Sequence, residues 1–197
     1  TTKPKPMVEI GGRPILWHIM KIYEAHGISD FIICCGYKGH IIKEYFKNYS
    51  MHNSDVTFST SSGEVQFHQR RAEDWRVTLV DTGESTLTGG RLKRVGKFLK
   101  NEDCFLFTYG DGVGNIDIKK TITYHMRHGK LATVTAVSPP ARFGLLKLDG
   151  CKVQEFNEKP TLEGSLINGG FFVLSPKVLE YIDDDMTVWE NEPLQRL

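Results

Sequence analysis

Apolar and polar positions follow two alternating rhythms along this chain. After Gly11-Gly12-Arg13-Pro14, the stretch ILWHIMKIYEAHG sets Ile15, Leu16, Ile19, Met20 and Tyr23 at helical spacing. Pro14 suits the first helical position and Gly27 the terminating one. DFIICCG (30–36) is a short apolar run closed by glycine, the pattern of a buried strand, and GHIIKEYFKNY reads as a second helix. DVTFST and EVQFHQ alternate around Ser61-Ser62-Gly63 as a β-hairpin. VTLVDTG (77–83) predicts a strand, TGGRLKRVGKFLK a helix, and CFLFTYGDG a buried strand ending in a glycine-flanked aspartate. Residues 117–129 predict a helix, LATVTAV a further buried strand, and LLKLDGCKVQEFNEKP two strands around Asp149-Gly150. GGFFVLSPKVLEYI reads as a strand turning into a helix at Pro176.

Buried, non-alternating strands separated by helices predict an α/β fold, with a largely parallel sheet covered on both faces. The hairpins at 55–70 and 145–158 are additions at an edge or a second, smaller sheet. No repeat, low-complexity tract or linker interrupts the pattern, so a single domain is expected. In such sheets ligands bind at the carboxyl ends of strands. That selects VDTG, TYGDG and the turns near EKP and NGG.

Composition narrows the partners. The formal charge of +1, from 25 basic and 24 acidic residues among 197, gives no basic field for nucleic acid, so a bound phosphate must meet a local cluster. Cys34, Cys35, Cys104 and Cys151 form no CxxC pair and are expected as reduced, mostly buried thiols. No signal-peptide pattern and no run of about 20 apolar residues is present, so a cytoplasmic location is expected.

Four stretches carry candidate chemistry. Lys3-Pro4-Lys5-Pro6 stands before the first helix; its prolines fix an extended backbone, which is expected to strap Lys5 toward an anion. Asp111 sits just past a buried strand, where Gly110 and Gly112 allow a ligand close, and a carboxylate there can hold Mg2+. In VDTGESTLTGGRLKRV, glycines alternate with Thr82, Ser85, Thr86 and Thr88 before Arg91, Lys93 and Arg94 open a helix, a pattern suited to a phosphate or to helix capping. Glu158-Lys159-Pro160 sets an acceptor beside a cation, and Asn168-Gly169-Gly170 exposes an amide and bare backbone. His125 and His128 share a helix face, but no carboxylate or cysteine motif accompanies them as a metal site would require. GxGxxG, the Walker pattern and the nucleophile elbow are all absent, which leaves little support for a dinucleotide enzyme.

In this order, KPKPM, GGRPIL, TYGDG, EKP and INGGFF resemble the sugar-1-phosphate nucleotidyltransferases over nearly the whole chain. KPKPMVEIGGRPILWHIM, DFIICCGYKG, VTLVDTG with TGGRLKRV, and FLFTYGDGV are most similar to members that use CTP and glucose 1-phosphate. The resemblance implies a Rossmann-like three-layer sandwich: a mostly parallel mixed sheet plus a small accessory β region. It also implies Mg2+ as cofactor, and transfer of a cytidylyl group to glucose 1-phosphate with release of pyrophosphate. Lys5 would contact phosphates, and Thr86 and Arg91 would lie at the cytidine and triphosphate end. Gly110 would approach the nucleotide and Asp111 would hold the metal. Glu158 and Lys159 would receive the sugar phosphate, with Asn168, Gly169 and the Gly144 amide completing that pocket. A homo-oligomer is implied, with the 55–70 hairpin and its Phe58, Val65 and Phe67 as a candidate surface.

Relatives begin with a strand and a LAGGxGTRL loop, and carry a second metal-binding aspartate further on. Residues 1–197 are therefore expected to be a fragment of one nucleotidyltransferase domain, inactive alone. UTP or dTTP as the nucleotide, and a non-catalytic binding module, remain the alternatives.

Overall fold

The computed structural model describes residues 3–69, 71–139, 145–157 and 166–197. Most expected elements are present, but the helix expected from Pro176 is a 3-10 helix, Pro176–Tyr181, and two short helices, at Tyr49–His52 and Glu192–Arg196, were not expected. The chain runs through α1 (Ile15–Glu24), β3 (Asp30–Cys35), α2 (Gly39–Lys47), α3 (Tyr49–His52) and a hairpin of β4 (Asp55–Phe58) and β5 (Val65–His68). There follow β6 (Arg76–Asp81), α4 (Thr88–Arg94), β7 (Phe105–Thr108), α5 (Ile118–His128) and β8 (Ala132–Val137). A second hairpin, β9 (Leu145–Asp149) and β10 (Lys152–Asn157), precedes β11 (Ile167–Leu174) and the short α6 (Glu192–Arg196).

Two local features depart from expectation at the start of the chain. A tiny hairpin, β1 (Glu9–Ile10) with β2 (Arg13–Pro14), precedes α1, and its loop is Gly11-Gly12 at φ +59° and +78°. Two consecutive positive φ values make the type I′ turn that two-residue hairpins prefer. The Lys-Pro stretch is not an extended strap throughout: Lys5–Met7 closes one 3-10 turn, with the Met7 amide on Pro4 O at 2.9 Å. Proline's fixed φ suits a first helical turn as well as extended chain, and its missing N–H costs nothing there.

β3, β6, β7, β8 and β11 form one layer between two layers of helix, and the β4–β5 and β9–β10 hairpins are separate two-stranded sheets. Ile32 and Cys34 of β3, Val80 of β6, Phe105 and Phe107 of β7, and Phe172 and Leu174 of β11 pack with Leu92, Val95 and Trp189. The alternate residues, Ile33, Cys35, Leu79, Leu106 and Phe171, face α1, α2 and α5. This alternation makes the three-layer sandwich. The sheet is mixed. β3 and β6 run parallel in register from Asp30↔Arg76 to Cys35↔Asp81, whereas β11 is antiparallel to both β7 and β8.

Among the described residues no ladder joins the β3–β6 pair to the β7–β11–β8 trio. Phe31 of β3 and Leu106 of β7 share a cluster to which β6 contributes nothing, so β3 is the edge that faces β7. Phe31–Cys34 and the whole of β7 are accordingly only half-buried, although helices cover both faces. Cys35 is buried and Cys34 half-buried, its thiol pushed up to about 11 chiefly by burial, while Cys151 is exposed and departs from the buried-thiol expectation.

His125 and His128 meet on one hydroxyl. Thr133 Oγ1 lies 2.8 Å from His125 Nδ1 and 2.7 Å from His128 Nε2. His128 Nδ1 accepts from the Lys130 amide at 2.9 Å, so its Nε2 carries the proton and donates to Thr133. Burial first, then the neighbouring His128, lowers the His125 pKa from 6.5. The unfolded chain thus takes up this proton at higher pH than the folded one. The contribution is complete above about pH 6.5 and is lost as pH falls below that value. Urea unfolding is expected to show lower stability at pH 5.5 than at 7.5, and His125→Asn to flatten that dependence; an equal slope in the variant would disprove the assignment.

Candidate functional site

β7 delivers Tyr109-Gly110-Asp111 to its carboxyl end, and the Lys-Pro turn closes over that end. A Cβ at Gly110 would stand 2.9 Å from Pro6 Cγ, so only glycine lets the turn sit this close. Lys5 Nζ lies 3.7 Å from Asp111 Oδ2, with the two side chains 84% and 44% exposed. At that exposure the pair is a weak mutual contact, and both charges remain open to a ligand. Met7 is buried in the cluster that also holds Cys35, the last residue of β3. The turn therefore touches the carboxyl ends of both β3 and β7, across the unpaired interval between them.

Thr82, Thr86 and Arg91 lie at the other half of this mouth. Thr82 is fully buried and its hydroxyl donates to Cys35 O at 3.0 Å, tying the ends of β3 and β6. Arg91 donates to Thr82 Oγ1 at 2.7 Å and to Glu84 O at 3.0 Å. Its guanidinium covers Gly36, where an added Cβ would stand 2.2 Å from Nη1. Arg91 thus holds the 82–86 loop in shape. Thr86 is buried, its hydroxyl 2.9 Å from the Cβ position of Gly83.

The glycines and bases that follow serve packing. The Gly89 and Gly90 amides at the start of α4 donate to Thr187 O at 2.9 and 3.3 Å. Lys93 caps Ile182 O and Asp183 O at 2.6 and 2.9 Å, and Arg94 forms a two-point pair with Asp185. Capping, rather than phosphate binding, accounts for these groups.

Asn168 and Gly169 open β11 at the Asp111 end of the layer. Between the pairs Asn168↔Ala136 and Phe172↔Val134, three residues of β11 lie against one of β8. The bulge needs its glycines: a Cβ on Gly169 would meet Thr135 O at 2.9 Å, and Gly170 has φ +79°. Asn168 Nδ2 donates to Tyr109 Oη at 3.1 Å. The expected residues Gly144, Glu158 and Lys159 lie outside the described residues.

Sequence reasoning missed two participants. Tyr109 stands beside the Gly110-Asp111 pair, and burial, followed by the Glu190 carboxylate as hydrogen-bond partner, pushes its hydroxyl pKa up. Glu190 also accepts from Thr88 Oγ1 at 2.8 Å. Glu190 belongs to no motif, and only folding brings it to the site.

Among the described residues no three His, Cys, Asp or Glu side chains cluster as a closed metal site. Asp111 alone offers one exposed, hard oxygen donor. That fits an ion whose other positions are filled by water and phosphate oxygens, the habit of Mg2+.

The sequence model described as nucleotidyl transferase matches residues 1–194. A glucose-1-phosphate cytidylyltransferase of Salmonella typhi is 62% identical over 195 residues, which are 99% of this chain and 76% of that protein. A probable glucose-1-phosphate cytidylyltransferase of Bacillus subtilis is 46% identical, over 98% of this chain and 76% of its own. The crystal structure of HddC from Yersinia pseudotuberculosis complexed with GMP-PN superposes with a TM-score of 0.69 at 25% identity, covering 99% of this chain and 77% of that one. The chain belongs to the nucleotidyl transferase family, as a relative of its glucose-1-phosphate cytidylyltransferases.

Proposed function

We propose that this protein transfers a cytidylyl group from CTP to α-D-glucose 1-phosphate, giving CDP-glucose and pyrophosphate. The observation that carries the reading is the placement of Lys5 beside Asp111 at the joint carboxyl end of β3 and β7. The 62% identity to a glucose-1-phosphate cytidylyltransferase supports the choice of substrates.

A phosphate oxygen of the sugar attacks the α-phosphorus of CTP, the bond to the β-phosphate oxygen breaks, and pyrophosphate leaves with that electron pair. No covalent enzyme intermediate is needed, so the protein contributes orientation and charge. Lys5 is placed to neutralise the triphosphate, and the bare Gly110 backbone lets the nucleotide lie close. Asn168 and Gly169 face the sugar phosphate. Asp111 would hold Mg2+, which supplies Lewis-acid withdrawal of charge from the phosphoryl oxygens.

The domain reading is also a proposal. Among the described residues two strand edges without a ladder face each other across one helix-covered layer; an open edge of this kind invites pairing, which supports a further strand there. We take residues 1–197 as part of one nucleotidyltransferase domain that this strand completes. A homo-oligomer and a cytoplasmic location belong to the same reading. Val56, Phe58, Val65 and Phe67 share one face of the β4–β5 hairpin, and no helix among the described residues is long and apolar enough to cross a membrane.

Pyrophosphate release should be compared for CTP, UTP and dTTP with glucose 1-phosphate, in protein retaining any coding sequence that flanks residues 1–197. CTP is expected to lead by at least about tenfold in kcat/KM, the scale set by one or two base-directed hydrogen bonds. A lead for UTP or dTTP would reassign the base, and nucleotide binding without turnover would favour a non-catalytic module.

A further inference from the structure

The Asn168 carboxamide is held at both ends. Its Oδ1 accepts from the Gly170 amide at 2.8 Å, which only an oxygen can do, so Nδ2 is the atom turned to Tyr109 Oη at 3.1 Å. The Tyr109 oxygen is therefore an acceptor here, and its own hydrogen needs another partner. The Glu190 carboxylate stands close enough to add to the rise in the Tyr109 pKa, after burial, and it receives the Thr88 hydroxyl at 2.8 Å. Thr88 in turn accepts from the Trp189 amide at 2.9 Å. Glu190 thus stands between the first residue of α4, which it bonds, and the Tyr109 hydroxyl that joins the end of β7 to the start of β11.

The Tyr109 ring is packed in this position. It lies against Gly170, where an added Cβ would meet Cδ2 at 3.0 Å. Phe107 and Phe172 meet it edge-on at 5.9 and 6.2 Å. The residue whose hydroxyl orients Asn168 also leads directly into Gly110-Asp111.

We propose that Tyr109 and Glu190 are positioning residues that set the Asn168 carboxamide relative to Asp111, and so govern recognition of the sugar phosphate rather than of the nucleotide. The inference rests on the functional reading above, in which Asn168 faces glucose 1-phosphate. One Nδ2 hydrogen and one Oδ1 lone pair remain on Asn168 for that ligand. Without the Tyr109 hydroxyl the carboxamide keeps its Gly170 bond but loses the contact that fixes its tilt.

The test uses protein with any flanking coding sequence retained. Tyr109→Phe is expected to raise KM for glucose 1-phosphate about 5- to 10-fold, the effect of one lost hydrogen bond, with kcat and KM for CTP within about twofold. Asn168→Ala should match or exceed this, and the double variant should be no worse than Asn168→Ala alone, because both changes remove the same interaction. Glu190→Gln is the second route should Tyr109→Phe not fold. Either orientation of its carboxamide loses one of two acceptors, and the same KM is expected to rise. Equal rises in both KM values, or effects that multiply in the double variant, would overturn the proposal and leave a purely structural network. If the unsubstituted protein bound glucose 1-phosphate but did not turn over, the functional reading alone would fall, and calorimetric affinities of the same variants would still test the positioning role.

Discussion

Asp111→Ala is expected to lower cytidylyl transfer by at least about 100-fold in kcat, the scale for removing a group that stabilises developing charge. Lys5→Ala is expected to do the same. These two outrank other substitutions at the mouth because their charges are uncommitted. Arg91 already donates to Thr82 and Glu84, and Lys93 to Ile182 and Asp183. Among the described residues Lys5 and Asp111 are each other's ion-pair partner, at 3.7 Å and both exposed. Neither substitution should unfold the protein, since an exposed pair of this kind contributes at most about 1 kcal/mol. Thermal melting should therefore stay close to the unsubstituted value while turnover collapses. The double variant should lose less than the product of the single losses, because both groups act on the same phosphates. The readout is pyrophosphate release from CTP and glucose 1-phosphate; near-normal rates in both single variants would place the site elsewhere.

Much of the layer order was readable because strands buried on both faces write themselves as unbroken apolar runs. FIICC and FLF did so. Their direction was not readable: FFVL at Phe171–Leu174 is buried throughout, and a strand covered on both sides carries the same residues whether it runs parallel or antiparallel. Asp111 was legible from its position after such a run. Tyr109 and Glu190 were not, since a hydrogen bond between segments far apart in the chain leaves no local spacing to detect. In EIGGRP the Gly-Gly pair is a hairpin signal, but the apolar run after Pro14 drew those residues into the helix reading. The Thr88-Gly89-Gly90-Arg91 stretch shows the limit most plainly. Glycines among hydroxyls and bases suit a phosphate, and equally suit a helix start pressed against another backbone. The partner that decides between them, Asp185 to Thr187, is distant in sequence.

That contact yields the second large effect. Within a helix, Gly→Ala ordinarily stabilises by about 1 kcal/mol. At Gly90 the sign is expected to reverse. An added Cβ would stand 2.4 Å from Asp185 O and 2.5 Å from Asp185 Cα, both backbone atoms that no side-chain rotation can clear. The loop cannot simply retreat, because Asp185 O accepts from the Leu87 amide at 2.8 Å, Thr187 O accepts from Gly89, and the Asp185 carboxylate is paired with Arg94. Overpacking against so restrained a neighbour is expected to cost about 3 kcal/mol or more, lowering Tm by roughly 6–12 °C for a chain of this size. Gly112→Ala is the control: its Cβ would meet nothing within 4 Å, its φ is not positive, and its Tm should hardly move. The displacement would also reach the site. Residues 183–187 lead into Trp189, fully buried, and Glu190, the partner of Thr88 and Tyr109. Surviving Gly90→Ala protein should therefore bind glucose 1-phosphate more weakly as well as melt earlier. A variant that melted at or above the unsubstituted temperature would show that the loop yields, and that the glycine serves something other than close packing.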